Sequence, residues 1–310
     1  MNTHSQRYDL LILGASGFIG ARTAQTALAA GWRVAGTYRT RPLPPGVPGW
    51  QLDVCDQAAV TGLLNETRPR AVIHCVASYT PHSLDYDSQM EASAYSTRAL
   101  VAALRALGAL TLDTRIVFVS TNAVFSGKLG RPCAETDLPD PDNRRDAYRY
   151  YGLARREGER ITLDGWPNSL VARTASVDGR DAWGQLNPRL QALVDALRSG
   201  RPFTRYVDRV ISPTLVDAVV SGLLEVASPG FPLPQSTGRV LHLAGRQSLT
   251  DFDYAHQIAA HLGIPHPPVE EDHYLPPGAV GPYNIALDVS RTQALLQTRL
   301  PDVAQVLACL

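Results

Sequence analysis

The sequence predicts an α/β protein built on a doubly wound parallel sheet, with helices on both faces and a small C-terminal lobe. Short apolar runs typical of buried strands alternate along the 310 residues with longer segments in which apolar residues recur at helical spacing. This alternation favours parallel strands joined by helices. The first run, Leu10–Leu13, leads directly into Gly14, Gly17 and Gly20. A glycine-rich turn between the first strand and the first helix is typical of the Rossmann fold.

Each predicted strand is a short apolar run, and each predicted helix has apolar residues three or four positions apart. The strands are expected at residues 10–13, 33–37, 49–53, 71–75, 116–120, 169–172 and 239–243. The helices between them are expected at residues 18–30, 56–67, 88–107, 149–163 and 216–226. Proline-rich segments at residues 42–48, 139–142, 229–234 and 265–268 are predicted to be surface loops.

The order of these elements divides the chain into a Rossmann domain and a smaller lobe. Residues 1–178 are expected to form the Rossmann domain, completed by a segment from about 210 to 245. Residues 179–209 and 246–310 depart from the alternation of strands and helices. They are expected to form the substrate-binding lobe.

Composition excludes several classes of function. Hydrophobic residues make up 45% and charged residues 19% of the chain, as in an ordinary globular protein. The formal net charge is zero, so neither a nucleic acid nor an anionic membrane is predicted as a partner. Four cysteines lack the spacing of a zinc site or a disulfide framework. With no leader-like segment and no apolar run of membrane-spanning length, a soluble, cytoplasmic protein is expected.

The glycine turn predicts a dinucleotide cofactor. Glycines there permit a tight turn and let the backbone approach a pyrophosphate, which the N-terminus of the next helix attracts with free N–H groups and a positive dipole end. The residues expected to make these contacts are Gly14, Ser16, Gly17, Phe18 and Ile19.

The ends of the next strands predict which dinucleotide binds. Arg39 follows the second strand, where a chain that binds NAD usually carries an acid, and with Arg41 it is suited to a 2′-phosphate. NADP(H) is therefore expected, the alternative being two solvated loop arginines. Asp53 is placed to contact the edge of the cofactor's adenine ring, although a loop-capping aspartate is the competing interpretation. Further cofactor contacts are expected from Val54, Cys75, Val76, Ala77, Ser120, Tyr151 and Arg155, whereas His74 is expected to be a packed strand residue.

Polar residues that could take part in a reaction follow the fifth strand. Ser120, Thr121 and Asn122 are expected at the carboxyl edge of the sheet, where ligands bind in such folds. Tyr151 and Arg155 lie four residues apart on a predicted helix, so the phenol and the guanidinium share a face and can point into one cleft.

Together these runs resemble the extended short-chain dehydrogenase/reductase superfamily and, within it, the dTDP-4-dehydrorhamnose reductase-like (sugar-nucleotide-binding) family. The resemblance spans nearly the whole chain and follows the order of the family's motifs. Beyond the glycine turn it is carried by Ser120-Thr-Asn-Ala-Val-Phe-Ser-Gly127, Tyr151-Gly-Leu-Ala-Arg-Arg-Glu-Gly-Glu159, Val171-Ala-Arg-Thr174, Ile211-Ser-Pro-Thr214 and Asn284-Ile-Ala-Leu-Asp-Val-Ser-Arg291.

The resemblance implies hydride transfer from the nicotinamide to a 4-keto sugar. In that family a tyrosine delivers the proton, a Ser or Thr hydroxyl hydrogen-bonds the carbonyl oxygen, and a lysine four residues after the tyrosine holds the nicotinamide ribose. Carried onto this chain, the hydroxyl is Thr121, the acid is Tyr151, and Arg155 occupies the lysine position. The resemblance also implies a nucleotide-sugar substrate and is compatible with a homodimer. No acidic cluster specific to a metal is found.

Arginine at position 155 is the main departure from the family. This departure has to be weighed against a bias of the whole chain towards arginine, because Lys128 is the only lysine among 29 basic residues. A guanidinium is always charged, but its planar fork differs in shape from a compact ammonium. The competing interpretation of Arg155 is a helix-surface residue that pairs with Glu159. If catalysis were lost, the alternative function would be an NADP-binding regulatory subunit resembling the accessory subunit of methionine adenosyltransferase.

Substrate contacts are expected from Asn122, Trp183 and Asn187. Trp183 is suited to stacking on a base or sugar, although an aromatic residue that packs within the lobe is the competing interpretation. Arg173 would reach the nicotinamide end by resemblance, or serve as a buried ion-pair partner.

Overall fold

The central element is a seven-stranded sheet in which all neighbours are parallel. The computed structural model describes residues 7–77, 85–143, 148–234, 238–276 and 282–310. The sheet consists, in spatial order, of β11 (Val240–Leu243), β6 (Ser169–Thr174), β5 (Arg115–Thr121), β4 (Ala71–His74), β1 (Leu10–Leu13), β2 (Val34–Tyr38) and β3 (Gly49–Gln51).

Helices cover both faces of this sheet. The described helices are α1 (Phe18–Ala29), α2 (Gln57–Thr67), α3 (Tyr86–Met90), α4 (Ser96–Leu107), α5 (Arg149–Gly165), α6 (Pro188–Ser199), α7 (Val216–Ala227), α8 (Asp251–His261), α9 (Ser290–Leu295) and α10 (Val303–Leu307). Single 3₁₀ turns occur at Gly108–Leu110, Asn122–Val124 and Pro141–Asn143.

Successive side chains of the buried strands point to opposite faces of the sheet, and each face packs against its own set of helices. Leu10 and Ile12 of β1 pack with residues of α1 and α7, whereas Leu11 and Leu13 pack with residues of α2, α4 and α5. Such two-sided burial explains why the strands are continuous apolar runs. The doubly wound parallel sheet predicted from the sequence is confirmed.

A third hydrophobic core lies outside the sheet and is formed mainly by α6, α8 and α10. Short strands accompany it: β7 (Val177–Asp178), β8 (Phe203–Tyr206), β9 (Arg209–Ile211), β10 (Thr214–Leu215), β12 (Leu249–Thr250), β13 (Val269–Asp272) and β14 (Tyr283–Asn284). They form the small sheets β10-β7, β12-β9-β14 and β13-β8. Between these segments, α7 and β11 return to the central sheet.

The structure differs in detail from the single helix that the sequence predicts at residues 88–107. Five residues, Glu91–Tyr95, form a π-helical turn between α3 and α4. Hydroxyl groups at its end donate to backbone carbonyls, Ser96 to Ala92 O at 3.0 Å and Thr97 to Ser93 O at 2.5 Å, and such bonds compete with regular helical pairing. Among the helices in the described ranges, none combines the length and hydropathy needed to cross a membrane.

Candidate active site

The glycine turn brings the start of α1 against the end of β1. Gly14 adopts a φ of +80°, and its N–H donates to Thr37 Oγ1 at 3.0 Å. A Cβ at Gly20 would lie 2.3 Å from Gly14 O, so only glycine allows α1 to approach the turn this closely. Helix α1 begins after Gly17 with no side-chain cap and no acid in its first turn. Its N-terminal end is therefore suited to an anionic ligand near Ser16, Phe18 and Ile19.

Two exposed arginines follow β2. Arg39 and Arg41 form no ion pair and no side-chain hydrogen bond with any group in the described ranges. The guanidinium carbon of Arg41 lies 5.6 Å from the ring centre of Trp183. Two guanidiniums without carboxylate partners fit the 2′-phosphate that the sequence predicts for this position.

The ends of β3 and β4 hold the other expected cofactor residues. Asp53 Oδ1 accepts a hydrogen bond from Cys55 N at 2.9 Å, which is the loop-capping arrangement, while the residue stays exposed at the edge. Val54 packs against the core formed with α2 and α4. Burial raises the pKa of the Cys75 thiol to about 12, so that side chain is a neutral packing group. Ala77 is exposed just beyond β4.

The end of β5 delivers three polar side chains with different surroundings. Ser120 Oγ donates to Glu159 Oε1 at 2.6 Å in the buried interior. Asn122 Nδ2 donates to Ile285 O at 2.9 Å, which ties the edge of the sheet to the segment after β14. Thr121 Oγ1 accepts from Ala123 N at 3.1 Å and donates to Asn122 Oδ1 at 3.3 Å. The long donated bond leaves the Thr121 hydroxyl the freest of the three to turn towards a ligand.

Helix α5 sits directly on this turn because of a glycine. A Cβ at Gly152 would lie 2.3 Å from Ala123 O, so the helix could not approach the 3₁₀ turn after Thr121 with any other residue there. Tyr151, the preceding residue, is half-buried. The close contact fixes the start of α5, and with it Tyr151, beside the end of β5.

Arg155 is buried beneath Tyr151, with 3% of its surface exposed. Its Nη1 donates to Val119 O at 3.0 Å and its Nη2 to Val76 O at 2.8 Å, so the guanidinium bridges the ends of β5 and β4. The guanidinium carbon lies 5.3 Å from the ring centre of Tyr151. The alternative of a surface residue paired with Glu159 is wrong, because this face of α5 packs onto the sheet.

No carboxylate in the described ranges forms an ion pair with Arg155, and His74, a buried base that its charge influences, is uncharged. His74 is fully buried, and its Nε2 lies 2.9 Å from Ser96 Oγ. Burial, and secondarily the charge of Arg155, lower the pKa of His74 to about 3. The site therefore retains a buried positive charge close to the Tyr151 ring, a position from which it could stabilise negative charge on the phenol oxygen.

Glu159 belongs to a buried network in which its partner is Arg173, a pairing that the sequence analysis did not identify. It accepts from Arg173 Nε at 2.9 Å and from Arg173 Nη2 at 2.8 Å, with both side chains almost fully buried. Ser120 completes the network. The signal was an arginine within an otherwise apolar strand, since such a charge is rarely buried without a partner. Arg173 is thus a buried ion-pair partner, the second interpretation that the sequence left open.

The two predicted substrate residues after β7 have other contacts. Asn187 caps α6, with Oδ1 accepting from Arg189 N at 2.9 Å. Trp183 lies against Arg41, so the structure groups it with the residues expected at the 2′-phosphate. Within the described ranges, no group of three or more His, Cys, Asp or Glu residues is placed to hold a metal ion.

Comparisons with known proteins support the resemblance found in the sequence. A family model described as "RmlD substrate binding domain" matches residues 8–309. A probable low-salt glycan biosynthesis reductase, Agl14 of Haloferax volcanii, is 27% identical over 304 residues, covering 96% of each chain. Methionine adenosyltransferase 2 subunit beta of Rattus norvegicus is 25% identical over 307 residues, covering 95% of this chain and 84% of that one.

A solved structure shares the fold along its whole length. It is dTDP-4-dehydrorhamnose reductase from Bacillus anthracis in complex with NADP, with a TM-score of 0.74, 19% identity and coverage of 98% of both chains.

Proposed function

The chain belongs to the RmlD substrate binding domain family, and on this premise we propose that it is an NADPH-dependent reductase of a 4-keto deoxysugar nucleotide or a similar small carbonyl compound. Its family and its reductase relative support a sugar-nucleotide reductase that binds a nicotinamide dinucleotide. One observation carries the proposal: Tyr151 lies over Arg155 beside the end of β5, and Arg155 is buried without a carboxylate partner in the described ranges.

The residues at the glycine turn and at the ends of β2, β3 and β4 would hold the cofactor, with Arg39 and Arg41 at its 2′-phosphate. When bound, NADPH would supply the hydride for the carbonyl carbon. Thr121 would donate a hydrogen bond to the carbonyl oxygen. Tyr151 would deliver its phenolic proton to that oxygen as it becomes an alkoxide, and Arg155 would stabilise the phenolate that remains until solvent returns a proton.

Arginine is able to fill this role in electrostatic terms. Two of its five N–H groups are used on Val119 O and Val76 O, and these bonds hold the planar fork in one orientation. The Nε of Arg155 has no hydrogen-bond partner among the described residues. Because this N–H is fully buried, it does not face a ribose hydroxyl, the group that lysine holds in the family that the chain resembles, and the role proposed for Arg155 is therefore electrostatic.

The test is NADPH oxidation by the purified protein across a panel of enzymatically generated 4-keto-6-deoxy nucleotide sugars. We expect turnover that Tyr151→Phe lowers by about 10²- to 10⁴-fold, the usual contribution of a positioned acid, while the variant still binds the cofactor. Arg155→Lys should retain measurable turnover. Absence of turnover in the parent together with a gain in Arg155→Lys would refute the proposal and indicate a degenerated active site.

A second function, a non-catalytic NADP-binding regulatory subunit, is favoured by one similarity. Methionine adenosyltransferase 2 subunit beta of Rattus norvegicus aligns with 95% of this chain. A regulatory subunit needs neither a tyrosine acid nor a hydroxyl donor, so Tyr151→Phe would leave stimulation of its partner enzyme unchanged. The same variant therefore separates the two functions.

A further inference from the structure

A short hairpin carries Trp183 to the segment that follows β2. Asp181 N donates to Gln185 O at 2.8 Å, and Gly184 N donates to Asp181 O at 3.1 Å with a φ of +80° at Gly184. The carboxylate of Asp181 also accepts from Trp183 N and Gln185 N, each at 2.9 Å. These four bonds define the turn, so the backbone that carries the indole is fixed locally.

The hairpin is also attached to the helices of the Rossmann domain. Gln25 Nε2 in α1 donates to Ala182 O at 3.3 Å, and Gln25 Oε1 accepts from Arg22 Nη1 at 3.0 Å. Arg22 in turn pairs with Asp217 at the start of α7, at 2.6 Å. A chain of polar contacts therefore connects α7, α1 and the residue that precedes Trp183.

The indole contacts an arginine that has no other side-chain partner among the described residues. The guanidinium of Arg41 lies 5.6 Å from the Trp183 ring centre, a distance typical of a cation–π contact. This contact leaves the N–H groups of Arg41 without a hydrogen-bond partner among the described residues, so they remain for a ligand. Arg39 lies two residues earlier and is likewise free of carboxylates. Two arginines that lie two residues apart in the sequence, with no carboxylate partner among the described residues, favour a ligand with a dianionic group.

We propose that Trp183 is a specificity-determining residue for NADPH, holding Arg41 in position beside Arg39 so that both guanidiniums bind the 2′-phosphate. This inference rests on the cofactor preference in the proposed function and moves Trp183 from the substrate to the cofactor. Because a free arginine side chain loses conformational entropy when it binds, an indole that pre-orders Arg41 raises affinity without touching the phosphate. Trp183 is thus a positioning residue.

The experiment measures NADPH and NADH affinities by isothermal titration calorimetry for the parent and for Trp183→Ala. We expect the Kd for NADPH to rise about 2- to 5-fold, in line with an exposed cation–π contact, while the Kd for NADH stays unchanged. Tyr95→Ala is the matched control: Tyr95 is 40% exposed against 39% for Trp183, and Arg98 lies 5.8 Å from its ring. This control should leave both affinities unchanged.

A double-mutant cycle tests whether the indole acts through Arg41. The double variant Trp183→Ala/Arg41→Ala should bind NADPH no more weakly than Arg41→Ala alone, and Trp183→Phe should recover part of the affinity. An unchanged Kd for NADPH in Trp183→Ala, or an equal loss for NADPH and NADH, would overturn the proposal.

The cofactor preference itself is tested in the parent protein. If the parent binds NADPH no more tightly than NADH, then the proposed preference fails and the role of Trp183 fails with it. If the parent prefers NADPH but Arg41→Ala has no effect, the preference stands and only the role of Trp183 is refuted. Thermal unfolding of each variant verifies that it is folded.

Discussion

Replacing Gly152 by alanine should separate the position of Tyr151 from the rest of the site. The added Cβ would lie 2.3 Å from Ala123 O, and real Cβ contacts are 3.0 Å or longer, so α5 must move by at least 3.0 − 2.3 = 0.7 Å at this point. The obstacle is backbone, which cannot rotate away as a side chain does. A displacement of about 1 Å in a reacting group costs on the order of 10²-fold in rate.

The assay is NADPH oxidation with the substrate found in the panel, together with cofactor titration and urea unfolding. We expect kcat to fall about 10²-fold and the free energy of unfolding to fall by about 1–3 kcal/mol, the usual cost of overpacking. The Kd for NADPH should change less than kcat, because the contact lies away from the glycine turn and from the arginines that follow β2.

Gly62→Ala is the matched control. Gly62 lies inside α2, and nothing is within 4 Å of its added Cβ, so this substitution should stabilise the protein by about 0.5–1 kcal/mol and leave turnover unchanged. A Gly152→Ala variant with turnover within twofold of the parent would show that the Gly152–Ala123 contact does not position the tyrosine.

Three further predictions concern stability and cofactor binding. Glu159→Gln should lower the free energy of urea unfolding by about 3–5 kcal/mol, because it leaves a buried arginine without its counter-charge, whereas Glu157→Gln on the exposed side of the same helix should cost less than about 1 kcal/mol. Gly20→Ala should abolish NADPH binding in calorimetry, since its Cβ would lie 2.3 Å from Gly14 O and force the turn open. Burial lowers the pKa of both His74 and His242 to about 3, so the folded state stays unprotonated while the unfolded state takes up protons near 6.5. Stability should therefore fall as the pH falls below 6.5, by up to about 1.4 kcal/mol per pH unit for each histidine, and a flat unfolding free energy between pH 7 and 5 would contradict this.

The central sheet was predictable because its strands carry a local signal. The first strand is observed at Leu10–Leu13, and the others begin and end within two residues of the predicted positions. Burial on both faces turns each strand into an apolar run that needs no knowledge of its neighbours. The lobe lacks such a signal: β13 pairs with β8, a segment more than sixty residues earlier, and neither strand exceeds four residues.

Helix α6 shows that a signal can be present without being used. Leu190, Leu193, Val194 and Leu197 recur at helical spacing after an Asn-Pro start, yet residues 179–209 are predicted only as part of a lobe. The arrangement around Arg155 had no comparable signal. Its burial depends on how closely α5 approaches the sheet, which is a tertiary property that helical spacing does not contain.

The assignment of charges along α5 explains how an arginine can serve in this site. Arg155 and Glu159 are four residues apart, and a pair at this spacing would cancel the charge beside Tyr151. In the structure Glu159 faces the next strand and is held by Arg173 and Ser120, while Arg155 is held by two backbone carbonyls. Carbonyl dipoles orient a guanidinium without neutralising it, so the positive charge remains available to the phenol. Arg173, the arginine buried in β6, therefore has a consequence beyond stability. By binding Glu159, it keeps the carboxylate that lies one turn after Arg155 on the buried face of α5 away from the site.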